Sequence, residues 1–111
     1  MRTNLQENHE IEKLKESIVK ALNPTKIYLF GSFAEGKQKE DSDFDFYVVM
    51  QDDTDERMLS LTAKAYKAII GIGNRAVDII VNKEHRFNSR KNLSLTVENE
   101  VARKGVLLYG K

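Results

Sequence analysis

The chain has 111 residues, 41% of them hydrophobic and 32% charged, with a formal net charge of +1. That is apolar material for one modest core, since independent domains occupy ~100–150 residues, and the near-neutral balance excludes a strongly basic nucleic-acid binder. Cysteine is absent, which excludes disulfides and thiolate metal sites, and no apolar run approaches the ~20 residues of a membrane span.

The N-terminal segment holds no signal-peptide core, so a single cytoplasmic domain over residues 1–111 is expected. Ile11, Leu14, Ile18 and Leu22 recur at helical spacing and predict an amphipathic helix over residues 9–22. Asn23-Pro24 ends it, because proline disfavours helical geometry in the residue before it. His9 reads as a solvated residue at the helix start. The apolar run Ile27-Tyr28-Leu29-Phe30 predicts a short buried strand over residues 26–30, broken by Gly31-Ser32. Residues 32–36 then suit a brief helical turn whose N–H groups would face anything bound against Gly31-Ser32. A polar loop follows, with Lys37 and Lys39 as candidate phosphate contacts.

A second strand is headed by Asp43 and Asp45 and continues through Phe46-Tyr47-Val48-Val49-Met50. Residues two apart on a strand point the same way, so these carboxylates would project together. Like charges held together are tolerated when a divalent cation lies between them. Residues 52–70 predict a second long helix with Met58, Leu61, Ala65 and Ile69 as its core stripe. Its acidic start, residues 52–56, reads as helix capping rather than a calcium loop, since it lacks the glycine and distal glutamate of that motif. After Gly71-Ile72-Gly73-Asn74, residues 76–81 predict a third strand. Asp78 is the only acid in that apolar run, where an unpaired charge is costly, and neighbouring strands would let it join Asp43 and Asp45. A basic segment carries Lys83, His85, Arg86, Arg90 and Lys91. Leu93, Val97 and Val101 mark a last helix capped by Gly105, and residues 106–109 form an apolar tail that can dock on the core.

Gly31-x-x-x-x-Gly36-Lys37 after a strand nearly matches a P-loop. Gln38 replaces the magnesium-binding hydroxyl, and a strand rather than a long helix follows, so a P-loop is disfavoured.

The pattern Gly31-Ser32-x-Ala34-x-Gly36, then Ser42-Asp43-x-Asp45, resembles the signature of the minimal nucleotidyltransferases of the DNA polymerase beta-like superfamily. Val77-Asp78-Ile79-Ile80-Val81 is similar to the later strand that carries that family's third carboxylate. The ending, residues 100–109, also resembles the family's close. The resemblance implies a small mixed α/β (α+β) sheet with helices packed on one face, the polymerase beta-like palm. It implies transfer of a nucleoside monophosphate from an NTP, with ATP the favoured donor, onto an acceptor. Asp43 and Asp45 would bridge two Mg²⁺ ions, with Mn²⁺ an alternative, while Asp78 would hold one ion and take the acceptor's proton. Gly31 and Ser32 would bind the nucleotide's phosphates. The implied partner is a small helical HEPN-type toxin protein, a second copy of the chain, or both. The alternative is a transferase fold of little activity serving as an antitoxin or regulatory binding module. Glu35 stands where the family commonly has arginine, and a negative charge beside a triphosphate would weaken its binding.

Overall fold

The structure, a computed structural model, describes residues 5–110. Helix α1 (Leu5–Leu22) leads into strand β1 (Lys26–Phe30), the single-turn helix α2 (Ser32–Glu35) and strand β2 (Phe44–Met50). Helix α3 (Met58–Ala68), strand β3 (Val77–Lys83), helices α4 (Glu84–Arg90) and α5 (Val97–Lys104), and strand β4 (Val106–Tyr109) complete the chain. The strands form one mixed sheet in the order β3-β2-β1-β4. β1 is antiparallel to both β2 and β4, whereas β2 and β3 run parallel. A parallel pair needs a crossover, and α3 provides it.

Strand periodicity divides the side chains between two faces. On one face Ile27, Leu29, Phe44, Phe46, Val48, Ile79 and Val81 pack beneath α1 and α3. Ile11, Leu14, Ile18 and Leu22 of α1 are buried there together with Leu61 and Ala65 of α3. Burying one such aliphatic side chain is worth about 1.5–3 kcal/mol, so this face supplies most of the hydrophobic stabilisation. The other face carries Phe30, Tyr47 and Val49, covered by Phe87 of α4 and Val101 of α5.

The mixed α/β sheet is the expected class, with its two long helices on one face. Two shorter helices, α4 and α5, add cover on the opposite face, where the expectation placed none. Helix α1 begins earlier than the predicted residue 9, with Glu7 of its first turn held by Arg75 at 3.3 Å. Helix α3 begins later than predicted, at Met58, and its first turn contains no acid. The acidic run therefore does not cap α3. Asp52 instead accepts the backbone N–H of His85 in α4 at 2.8 Å. That bond, followed by the contact with the His85 ring, holds its carboxyl below the usual range. Residues 106–109 dock as a strand on β1. Gly105 precedes them in extended rather than left-handed backbone. Glycine is needed there because a β-carbon would overlap the carbonyl oxygen of Val101. Among the described residues no helix is long and apolar enough to cross a membrane.

The α4–α5 face is secured by a buried polar network. Glu98, only 2% exposed, accepts Tyr47 Oη–H at 2.7 Å and Arg90 Nε–H at 3.1 Å. Asn82 Nδ2 in turn donates to Tyr47 Oη at 3.2 Å. Burial pushes the Glu98 carboxyl up, but the hydrogen bonds from Tyr47, from its own backbone N–H and from Arg90 together outweigh it and leave the group lowered. Glu98→Ala is expected to cost about 1–3 kcal/mol, the penalty of an orphaned buried donor, and Glu98→Gln less. Urea denaturation of the two variants checks this; equal stability of Glu98→Ala and the parent would contradict it.

Candidate active site

The end of the sheet where β1 finishes and β2 and β3 begin gathers the polar residues. Gly31 follows β1 with φ 77°, a conformation that favours glycine. Space reinforces the requirement, because a β-carbon at Gly31 would overlap Asp45 Oδ2. The turn thus lies directly against the Asp45 carboxylate. Helix α2 starts at Ser32, with Glu35 N–H bonded to Gly31 C=O at 3.2 Å. In a helix entered this way the N–H groups of residues 32–34 have no intrahelical acceptor. Phe33 and Ala34 are buried and anchor the turn to the core.

Asp45 and Asp78 are direct partners in the parallel β2–β3 register. Asp45 is half-buried and Asp78 exposed. Burial, then the charges of Asp78 and Asp43, push the Asp45 carboxyl up to about 6. Glu100 of α5 adds to that field, a contribution that nothing local in the sequence signals. Asp43 lies just ahead of β2, half-buried. The expected trio is therefore arranged as an adjacent pair, Asp45 and Asp78, with Asp43 within electrostatic reach. Among the described residues no three His, Asp or Glu side chains converge closely enough to hold a metal ion by themselves. The donor chemistry nevertheless suits a hard cation: carboxylate oxygens whose charges repel one another.

Two clefts flank this end. One of about 390 Å³ is lined by Ser42, Asp43 and Arg75 among others. The other, about 500 Å³, lies between α2 and α5 and is lined by Glu35, Thr96, Asn99, Glu100, Arg103 and Lys104. Glu35 Oε1 sits 3.5 Å from Lys37 Nζ and 3.6 Å from Lys104 Nζ, so its charge is matched on both sides. Lys39 contributes its backbone N–H to Ser42 Oγ at 2.7 Å, which tightens the loop before Asp43.

A raised carboxyl makes stability depend on pH with a definite sign. The folded chain binds this proton more tightly than the unfolded one. Stability from Asp45 is therefore present at low pH and lost as pH rises from about 4 towards about 6. Without divalent cations, Asp45→Asn is expected to gain stability over the parent progressively between about pH 4.5 and 6.5. Denaturation midpoints of both proteins across that range measure it; a pH-independent difference would contradict the raised carboxyl.

Comparison with known proteins identifies the family and the fold. The profile of the family described as "Polymerase beta, Nucleotidyltransferase" matches residues 12–111. A Sulfolobus solfataricus protein assigned to the nucleotidyltransferases superposes with a TM-score of 0.60 at 20% identity, covering 99% of this chain and 91% of that one. A toxin–antitoxin structure solved with AMP-PNP gives 0.57 at 25% identity, over 90% of this chain and 73% of that one. The MntA–HpeT toxin–antitoxin, in a form with two aspartates two positions apart changed to glutamate, gives 0.53 at 26%, over 95% and 73%. No curated protein matches the sequence. With the profile spanning the chain from α1 through β4, the protein belongs to the polymerase beta-like nucleotidyltransferase family.

Proposed function

We propose that this chain is a metal-dependent nucleotidyltransferase that moves a nucleoside monophosphate from an NTP, ATP first, onto an acceptor hydroxyl of a protein partner. The observation that carries the reading is the in-register Asp45–Asp78 pair, with the Asp45 carboxylate lying against Gly31. Asp43 and Asp45 would hold two divalent cations, Mg²⁺ or Mn²⁺, with Asp78 completing the shell of one. When bound, such ions polarise the α-phosphate and neutralise charge on the leaving oxygen.

The remaining work falls to the chain's own residues. Ser32 and the free N–H groups of the α2 turn orient the β- and γ-phosphates. Asp78, exposed beside half-buried Asp45, is reachable by an acceptor and takes its hydroxyl proton. The acceptor oxygen then bonds to the α-phosphorus, the bond to the bridging oxygen breaks, and pyrophosphate leaves. Tyr47 and Asn82, further along the same sheet face and joined by a hydrogen bond, hold β2 and β3 together behind the carboxylates, with Glu98 of α5 accepting from Tyr47.

The protein acceptor is suggested by the likeness to toxin–antitoxin structures, one of which was solved with AMP-PNP. The two aspartates altered in the MntA–HpeT form are spaced as Asp43 and Asp45 are. A small helical HEPN-type toxin, or a second copy of this chain, fits that role. Glu35 is the single feature favouring a regulatory module of little activity, and its contacts with Lys37 and Lys104 offset the charge on which that alternative rests.

Incubation with α-labelled NTPs, Mg²⁺ and candidate partner proteins is expected to transfer label onto the partner. Asp78→Asn should remain folded and lower transfer roughly 10²–10⁴-fold, as expected for loss of a positioned base. Absence of label with every NTP, or full activity in Asp78→Asn, would contradict the proposal. Because Glu35 is paired, Glu35→Arg is expected to change NTP affinity by less than about threefold, a surface-pair effect, at both low and high salt. Isothermal titration reads it; a large gain confined to low salt would show that Glu35 faces the triphosphate.

A further inference from the structure

We propose that Arg75 is a positioning residue for this reaction: it fixes the peptide that delivers Asp43 relative to the Gly31-Ser32 turn and to Asp45. The inference rests on the function proposed above and extends it to a side chain outside the carboxylate cluster. Arg75 lies three residues before Asp78, in the connection entering β3. Its Nη1 donates to the carbonyl oxygens of Glu40 at 3.0 Å and Ser42 at 2.7 Å. The Ser42 carbonyl belongs to the peptide bond that joins it to Asp43, so this contact acts directly on the backbone carrying that carboxylate. Nη2 reaches Glu7 Oε2 of α1 at 3.3 Å.

The guanidinium also lies over two aromatic rings, 4.8 Å from the centroid of Phe33 and 5.4 Å from that of Phe44. Phe33 adjoins Ser32, and Phe44 stands between Asp43 and Asp45. The two rings are themselves 4.6 Å apart. A single cation therefore touches the neighbour of the phosphate-binding serine, the residue between the two aspartates, and the peptide entering Asp43. Its side chain is only 20% exposed, unlike an arginine kept for solubility. A planar fork donates to two carbonyls from one nitrogen while its face stacks on rings; a lysine ammonium cannot do both. Asp43, the carboxylate that precedes its strand and lacks a ladder partner, is the one whose placement depends on such a clamp.

The test uses the full chain with Arg75→Lys and Arg75→Met, each checked for folding by circular dichroism and thermal melting. Lysine keeps the charge beside Glu7 and over the rings, so Arg75→Lys isolates the carbonyl contacts if the methionine variant does not fold. Mn²⁺ binding is followed by electron paramagnetic resonance with a non-hydrolysable ATP analogue present, and label transfer gives kcat and KM. Both variants are expected to lose about 10–100-fold in Mn²⁺ affinity and kcat, as when residues that orient metal ligands are removed, the lysine form less than the methionine form. The KM for NTP should stay within about threefold, because the phosphate-binding turn is intact. Folded Arg75→Lys with parental Mn²⁺ affinity and kcat overturns the proposal. So does a loss that merely tracks the unfolded fraction, or absence of Mn²⁺ binding by the parent. A parent that binds Mn²⁺ but transfers no label defeats the proposed function, while the Mn²⁺ comparison still decides the role of Arg75.

Discussion

Two carboxylates in register on adjacent parallel strands set the terms for the rest of this molecule. Asp45 and Asp78 face each other across the β2–β3 ladder, and burial with like charge drives Asp45 far above its usual range. A hydrophobic core alone would never favour that arrangement, because each group raises the cost of ionising the other. It persists because the surrounding structure holds it. The extensive β2–β3 ladder fixes the register, α3 makes the parallel pairing possible, and Gly31 leaves room for the Asp45 carboxylate where any side chain would intrude.

Support for the pair comes from both faces of the sheet, through an arginine on each. On the α4–α5 side, Arg90 and Tyr47 satisfy the buried Glu98, and the closed network ties two short helices to β2. A carboxylate so deeply buried is tolerable only because its oxygens are matched by donors. On the α1–α3 side, Arg75 lies over Phe33 and Phe44 and grips the loop that leads to Asp43. The two devices differ in purpose. The first binds elements together, whereas the second sets the position of one residue at the mouth of the site.

Local pattern made much of this legible in the sequence. The strand Lys26–Phe30 with its apolar run from Ile27, the break at Gly31-Ser32 and the turn after it depend on near neighbours, and they form where expected. The α1 stripe was readable for the same reason. So was the proximity of Asp45 and Asp78, since each heads an apolar strand and only adjacency of those strands had to be supplied. The start of α3 was not legible: residues 52–56 carry the composition of a helix N-terminus, but Asp52 is engaged by His85, far along the chain. Helix α4 was hidden because its few residues bury only Phe87 and show no apolar period. The roles of Glu98, Glu100 and Arg75 were equally invisible. Each is an ordinary surface residue type, and its partner is set by tertiary packing rather than by spacing.

The proposed chemistry requires the carboxylate end of the sheet to receive a nucleotide together with a divalent cation. A crystal structure of the chain grown with Mn²⁺ and a non-hydrolysable ATP analogue, phased at the manganese edge, addresses this directly. Anomalous density between Asp45 and Asp78, with the triphosphate against Gly31-Ser32, is the result predicted. A nucleotide bound elsewhere, with no manganese at these carboxylates, would contradict it.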